Sequence, residues 1–260
     1  MRIVPSLVIV TALAAGLAGC RGKGPSAPAA TNARTANSSS ARGDGANQDA
    51  SAQDASVEDA AARDEQRTQA ALKIEDGRPL LLCFGDSLTA GLGTGAGQSY
   101  PDYLQKDLDG LGYHYRVVNQ GISGNTTKDG VARLKDVRRL KPEIAVVEFG
   151  GNDGLRGLPI ADTEANLDRI VRALKGAGVK VALAGITLPP DYGEDYIGRF
   201  DAMYGEIAKR YQVPMLPFLL EHVYGVPGMM QRDHTHATAK GNEVVARNVL
   251  ALVKPILKKK

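Results

Sequence analysis

Tryptophan is absent from this 260-residue chain, phenylalanine occurs only four times and cysteine only twice. Two cysteines cannot form a disulfide scaffold or a four-cysteine zinc site. The net charge is also small, +3 from 32 basic and 29 acidic residues, which argues against nucleic-acid binding driven by charge. The remaining composition, 43% hydrophobic and 23% charged, is typical of a globular protein with a mainly aliphatic core.

The first twenty residues have the pattern of an export signal. Arg2 supplies a positive charge, and residues 3–18 are uncharged and mostly apolar, which is short for a membrane-spanning helix but typical of a secretory signal. The segment ends in Leu-Ala-Gly-Cys at Cys20, which resembles a bacterial lipobox. That resemblance implies a signal peptide over residues 1–19 and a lipoprotein held on a membrane by acyl chains on Cys20. A plain secretory signal cut after Ala18 is the alternative.

A tether is predicted between the signal and the folded domain. From Arg21 to Ala70 the only large aliphatic residue is Val57, so this stretch cannot bury enough apolar surface to offset chain entropy. We expect residues 20–77 to be a disordered spacer, with a transient helix over about residues 57–73 as its only structure. By the lipobox resemblance, Arg21 in place of aspartate favours the periplasmic face of the outer membrane. Without lipidation the protein would be periplasmic or secreted.

Residues 78–260 have the alternating pattern of an α/β domain. Short apolar runs, typical of strands buried on both faces, alternate with helical patterns such as the one from Leu167 to Leu174, for which Asp162 or Thr163 is the predicted N-cap. The runs span residues 80–84, 115–118, 144–149, 179–186 and 213–218. This alternation predicts a three-layer α/β/α sandwich around a central, mostly parallel five-stranded sheet of the flavodoxin-like type. Ligands of such sheets bind beyond the carboxyl ends of the strands.

Polar and glycine-rich segments follow the first three predicted strands. The segment GDSLTAG at residues 85–91 places Ser87 at a strand-to-helix turn, where backbone N–H groups can point at a developing oxyanion. The segment NQGISGNTT follows the second strand at residues 119–127, and GGND follows the third and contains Asn152, whose carboxamide can donate a hydrogen bond. Taken singly, each segment is also consistent with an ordinary turn or helix cap.

The segment DHTH at residues 233–236 precedes the last predicted helix. A carboxylate three residues before a histidine in a turn can orient the imidazole and stabilise its protonated form, which favours the pair Asp233 and His236. His234 is the competing candidate, although its adjacency to Asp233 makes the same support harder. A His-x-His pair could also bind a metal, but no further ligand set has suitable spacing, and we expect no metal.

Together and in this order, the four segments resemble those of the SGNH/GDSL hydrolase family, and most closely its branch of bacterial thioesterase I, lysophospholipase and arylesterase. The resemblance extends over essentially all of residues 78–260. It implies that Ser87 is the nucleophile, that His236 is the general base and acid, and that Asp233 orients His236.

The same resemblance implies an oxyanion hole with three donors. They are the backbone N–H groups of Ser87 and Gly124 and the side chain of Asn152. One departure affects the last segment, where the family usually has glycine and proline and this chain has His234 and Ala237. The triad spacing survives this change, but the loop has less backbone freedom.

The resemblance also implies the reaction, which is hydrolysis of carboxylic esters or thioesters through an acyl-enzyme, without metal or organic cofactor. Aryl esters, short or medium acyl esters and lysophospholipids are the expected substrates. The residues expected to bind the acyl group are Leu155, Leu158, Leu188 and Pro189. Two alternatives are a non-catalytic lipoprotein that binds an acyl or sugar ligand, and an acyltransferase with the same triad. We expect a monomer that binds no nucleic acid and contacts a membrane through Cys20.

Overall fold

The five apolar runs form the five strands of one parallel sheet. The structure, a computed structural model, describes residues 58–70, 73 and 76–259, so the predicted signal peptide and Cys20 lie outside the described residues. The strands are β1 (Leu80–Gly85), β2 (Arg116–Gly121), β3 (Ile144–Glu148), β4 (Lys180–Ala184) and β5 (Met215–Leu216). Their order is β2-β1-β3-β4-β5, and every neighbouring pair is parallel. The predicted sandwich around a parallel five-stranded sheet is confirmed.

Helices cover both faces of this sheet. Those that the structure describes are α1 (residues 58–70), α2 (Ser87–Ala90), α3 (Tyr100–Gly110), α4 (Thr127–Arg139), α5 (Gly151–Leu155), α6 (Ile160–Gly176), α7 (Glu194–Tyr211) and α8 (Ala239–Val253). No helix within the described ranges is long and apolar enough to cross a bilayer.

Side chains of β1 alternate between two aliphatic cores, as the period of a strand requires. Leu81 and Cys83 belong to the core that also contains side chains of α3 and α8. Leu82 and Phe84 belong to the opposite core, which contains side chains of α4, α6 and α7. Because both faces of the strand are covered, its run of apolar residues is continuous rather than alternating.

Two boundaries differ from the sequence-based expectation. Helix α6 begins at Ile160 after Pro159, so Asp162 and Thr163 lie in its first turn and neither is the N-cap. The buried apolar stripe was correct, since Leu167 and Leu174 are fully buried. Proline ends the preceding loop because its fixed φ already suits the start of a helix. The prediction placed the N-cap at the polar residues Asp162 or Thr163 instead and so gave too little weight to Pro159.

Helix α1 differs from the disordered spacer expected for residues 20–77. Ala60 and Thr68 on this helix are buried, and α1 belongs with the sheet to one compact unit, Gly43–Lys260. The expectation of disorder therefore does not hold for residues 58–70. The helix itself falls within the transient helix expected over about residues 57–73, but its packing on the domain was not expected, because it depends on polar side chains, described below, that bind distant parts of the chain.

Candidate active site

The predicted site residues converge at the carboxyl edge of the sheet. Ser87 follows β1, Gly124 follows β2 and Asn152 follows β3. These three strands are neighbours in the order β2-β1-β3, and the carboxyl ends of parallel strands lie at one edge of a sheet. All three residues line one cavity, together with His236 from the loop before α8.

Ser87, His236 and Asp233 form a continuous hydrogen-bonded chain. The Ser87 Oγ lies 2.9 Å from Nε2 of His236. The Nδ1 of His236 lies 2.7 Å from Oδ2 of Asp233. Since a neutral imidazole carries one N–H, this arrangement suits the tautomer that donates from Nδ1 to the carboxylate and accepts from the serine hydroxyl at Nε2.

The Asp233 carboxylate is held by three donors in its own loop. Its Oδ1 accepts hydrogen bonds from the backbone N–H groups of Thr235 (3.0 Å) and His236 (3.1 Å). Partial burial raises the pKa of this carboxyl, but the hydrogen bonds from His236 and Thr235 outweigh burial, and the pKa lies below its ordinary value. The carboxylate therefore remains ionised at neutral pH and can stabilise a protonated imidazole.

The three residues of the predicted oxyanion hole, Ser87, Gly124 and Asn152, line the same cavity. Ser87 is the first residue of α2, so its N–H has no acceptor within the helix. Gly124 has a φ of 79°, in the left-handed region that glycine enters without strain, and its carbonyl accepts from Arg156 at 3.0 Å. The Nδ2 of Asn152 lies 2.9 Å from the carbonyl oxygen of Asn125.

Asp86 is a site residue that the sequence reasoning did not single out. Its Oδ1 accepts from the backbone N–H of Leu88 at 3.0 Å, which caps α2. Its Oδ2 accepts from Nδ2 of Asn152 at 3.2 Å. One buried carboxyl thus links the helix that carries Ser87 to the amide of the predicted oxyanion hole. The aspartate of the GDSL segment is the sequence signal that marked it.

A second buried carboxyl, Glu148, lies beneath Asp86. Its Oε2 accepts from the hydroxyl of Thr89 at 2.8 Å and from the backbone N–H of Asp86 at 3.3 Å. Burial, and then the negative charge of Glu148, raise the pKa of Asp86 well above its ordinary value. Burial likewise raises the pKa of Glu148. Since two buried neighbouring carboxyls resist double ionisation, this pair retains a proton at pH values where a solvated carboxyl would be ionised.

The cavity beside Ser87 has a volume of about 230 Å³ and a largely apolar wall. Of the four predicted acyl-binding residues, Leu155, Leu188 and Pro189 line it. Leu158 does not. It lies in the loop between α5 and α6, where its carbonyl accepts from the hydroxyl of Tyr196 at 3.3 Å. Leu155 ends the short helix α5 and lines the cavity, whereas Leu158 follows that helix, and its role in binding the acyl group stays a prediction.

Six further apolar or aromatic residues line the cavity and were not predicted: Ile186, Phe218, Leu88, Leu92, Leu220 and Tyr224. The first two end the apolar runs 179–186 and 213–218. Because the site lies at the carboxyl ends of the strands, the ends of those runs were the signal that could have identified them.

His234 and Ala237, the two departures from the family pattern, both have a defined place in the structure. His234 adopts a φ of 56°, a conformation that favours glycine but that histidine enters more readily than most residues. Ala237 is buried and pairs with Met230 in an antiparallel bridge. Within the described residues, no group of three or more His, Cys, Asp or Glu side chains is placed to hold a metal ion.

Comparison with known proteins is consistent with this geometry. The sequence profile of the GDSL-like Lipase/Acylhydrolase family matches residues 83–244. Esterase TesA of Pseudomonas aeruginosa is 44% identical over 178 residues, which are 68% of this chain and 89% of the relative. Thioesterase 1/protease 1/lysophospholipase L1 of Escherichia coli K12 is 38% identical over 178 residues, 68% of this chain and 84% of the relative. A crystal structure of TesA superposes with a TM-score of 0.67 at 44% identity and covers 68% of this chain and 99% of its own.

The chain therefore belongs to the GDSL-like lipase/acylhydrolase family. Within that class it is a carboxylic-ester hydrolase of the SGNH type.

Proposed function

We propose that this protein hydrolyses carboxylic esters or thioesters through a Ser87–His236–Asp233 triad. The observation that carries the proposal is the pair of short contacts on either side of one imidazole, 2.9 Å to Ser87 and 2.7 Å to Asp233. A serine hydroxyl is a weak nucleophile unless a base removes its proton, and a base works best when a third group orients it.

In the first half-reaction the Ser87 oxygen attacks the carbonyl carbon, and its proton passes to Nε2 of His236. The resulting oxyanion accepts hydrogen bonds from the N–H groups of Ser87 and Gly124 and from the amide of Asn152, which gives up its longer contact, 3.2 Å to Asp86, to do so. Each such donor contributes about 10²–10³ in rate in related acyl-transfer sites. The intermediate then collapses, and His236 gives its proton to the leaving alcohol or thiol.

In the second half-reaction water attacks the acyl-enzyme. His236 takes a proton from the water, the same three donors stabilise the second oxyanion, and the ester bond to Ser87 breaks. The carboxylic acid leaves and the Ser87 hydroxyl regains its proton from His236. No step in this sequence requires a metal or an organic cofactor.

The apolar wall of the cavity supports an acyl chain as the bound part of the substrate. Leu155, Leu188 and Pro189 lie on this wall, with Phe218 and Leu220, and burying methylene groups there stabilises binding by about 0.8 kcal/mol each. The relatives' names include esterase, arylesterase, thioesterase and lysophospholipase. We propose that aryl esters, short or medium acyl esters and lysophospholipids are substrates of this chain.

The serine mechanism is tested by covalent labelling and by one substitution. A fluorophosphonate should label the wild-type protein at Ser87, and Ser87→Ala should lower kcat/KM for p-nitrophenyl butyrate by about 10⁴-fold or more, with an unchanged thermal midpoint. If Ser87 stayed unlabelled and Ser87→Ala had the same kcat/KM as the wild type, the domain would be a non-catalytic protein that binds an acyl or sugar ligand. Ester products formed with an added alcohol would identify an acyltransferase.

We further propose that Cys20 carries acyl chains and holds the enzyme on the periplasmic face of the outer membrane as a monomer. The support is the lipobox-like sequence alone. Cells grown with radiolabelled palmitate should incorporate the label into the wild-type protein and not into Cys20→Ser. Label in both proteins, or in neither, would contradict lipidation at this cysteine.

A further inference from the structure

Helix α1 lies outside the part of the chain that matches the hydrolase family, which begins at residue 83. It is nevertheless hydrogen-bonded to the segments of the domain that carry the proposed active site. Two of its charged side chains, Asp64 and Arg67, face the domain, and they lie 3.5 Å from each other.

Arg67 links the segments that follow β1 and β2. Its Nη1 donates to the carbonyl oxygen of Ala90 at 2.8 Å, and Ala90 ends the short helix that Ser87 begins. Its Nη2 donates to the carbonyl oxygen of Gly121 at 3.1 Å, at the end of β2. One guanidinium group therefore spans the nucleophile's helix and the start of the loop that carries Gly124.

Asp64 binds that same loop one residue before Gly124. A single oxygen of Asp64, Oδ2, accepts from the backbone N–H of Ser123 at 3.0 Å and from its hydroxyl at 2.7 Å. The Asp64 side chain is 14% exposed and Ser123 is 2% exposed, so water has little access to either partner. Hydrogen bonds to a carboxylate are stronger than neutral ones, and without Asp64 two buried donors of Ser123 would lose their acceptor.

We propose that α1 is a positioning element of the oxyanion hole, acting through Asp64 on Ser123 and through Arg67 on Ala90 and Gly121. This inference rests on the serine mechanism proposed above. The N–H groups of Ser87 and Gly124 must point at one developing charge, and they lie on separate loops. Because stabilisation of an oxyanion depends steeply on donor placement, a clamp across both loops raises the turnover of the bound substrate more than it raises substrate affinity.

The test uses the full-length protein and turnover normalised to active sites titrated with a fluorophosphonate. Asp64→Ala should lower kcat for p-nitrophenyl butyrate about three- to tenfold, with KM changed less than about twofold. Asp64→Asn retains an acceptor oxygen and should recover a large part of that turnover. Gln66→Ala, at an exposed position of the same helix, is the matched control and should behave like the wild type.

Normalisation separates positioning from folding, because a merely structural role would reduce the titratable fraction and leave turnover per titrated site unchanged. The proposal would be overturned if Asp64→Ala had fewer titratable sites but wild-type turnover per site. It would also be overturned if the kcat of Asp64→Ala equalled that of the wild type, or if Gln66→Ala lost as much turnover as Asp64→Ala. Ser87→Ala is measured alongside. Retained activity in Ser87→Ala would refute the serine mechanism, whereas an inactive Ser87→Ala beside a fully active Asp64→Ala would refute only the role of α1.

Discussion

The triad joins two regions of the molecule that are built in opposite ways. The Ser87 corner, which we define as residues 85–91 with Glu148, is buried, and Asp86, Thr89 and Glu148 within it have almost no contact with solvent. The histidine loop, residues 231–238, is much more open, and the Asp233 side chain is 46% exposed.

The histidine loop nevertheless holds its shape through a small number of hydrogen bonds. Gln231 donates from Nε2 to the carbonyl oxygens of Leu92 (2.7 Å) and Ala237 (2.8 Å), and its backbone N–H donates to the carbonyl of His236 at 2.8 Å. The comparison teaches that the nucleophile is placed by the core and the base by a surface loop. Substitutions that remove a reactive side chain of the histidine loop should therefore change activity with little effect on stability, whereas substitutions of the buried Asp86, Thr89 or Glu148 in the corner should change stability as well.

The largest expected effect lies in the histidine loop and separates its two histidines. His236→Ala should lower kcat/KM for p-nitrophenyl butyrate by about 10⁴-fold, because Ser87 loses its base, and the thermal midpoint should stay close to that of the wild type. His234→Ala should cost less than about tenfold, since no hydrogen bond joins its ring to Ser87 or Asp233 among the described contacts. The reverse order of the two losses would mean that the base is assigned to the wrong residue.

A somewhat smaller loss is expected for Asp233→Asn. The amide can retain the bonds from the backbone N–H groups of Thr235 and His236, but it cannot stabilise a protonated imidazole, so kcat should fall about 10²–10⁴-fold. Because the folded-state pKa of Asp233 is lowered, its charge stabilises the fold above the ordinary carboxyl pKa and ceases to do so as pH falls through the lowered value. Urea unfolding at neutral pH should show a change below about 1 kcal/mol, and a larger change would contradict a loop that acts on activity alone.

In the Ser87 corner, Glu148→Gln should change the pH dependence of stability. Burial raises the folded-state pKa of Glu148 and of Asp86, so the unfolded chain releases protons that the folded chain retains, and rising pH favours unfolding. The stability of the wild type should therefore fall more steeply than that of Glu148→Gln between about pH 5 and pH 8, which lies above the ordinary carboxyl pKa. Urea titrations at both pH values measure this difference, and equal slopes for the two proteins would show that Glu148 titrates normally.

The smallest expected effect concerns the strained residue of the histidine loop. His234 has a φ of 56°, so His234→Gly removes a backbone cost of about 1 kcal/mol, partly offset by the greater entropy of glycine in the unfolded chain. We expect a gain in unfolding free energy of up to about 1 kcal/mol with activity within about threefold of the wild type. A loss of stability on chemical denaturation would indicate that the His234 side chain makes stabilising contacts.

Much of the fold could be predicted from local patterns. The apolar runs of β1, β3 and β4 became the central strands because they are buried on both faces, and burial on both faces requires a continuous apolar sequence. The edge strands β2 and β5 are only partly buried. The cap of α6 was predicted at Asp162 or Thr163, although Pro159 precedes its first residue. Helix ends depend on a few backbone hydrogen bonds and are therefore weakly marked in sequence.

The site was predictable where its residues lie at strand ends. It was less predictable where the conformation of a loop determines which side chains reach the cavity. Ser87 follows strand β1, and the family resemblance paired it with His236 from the loop before α8. The two side chains lie within hydrogen-bond distance of each other. Leu158 is not part of the cavity wall, and nothing local in the sequence shows which residues of the loop after α5 face the cavity. The packing of helix α1 on the domain was missed, because it depends on Asp64 and Arg67, whose partners Ser123 and Ala90 lie far away in sequence.

The sequence by itself determined the layered α/β class and the kinds of reactive group, because apolar periodicity and side-chain chemistry are properties of short segments. Only the tertiary structure decided which groups come into contact. It brings the Ser87 hydroxyl after β1 to the His236 imidazole before α8, and it brings helix α1, from the segment expected to be a spacer, to the loop that contains Gly124. Such meetings depend on long-range packing, where one carboxylate or guanidinium satisfies donors and acceptors that are distant along the chain.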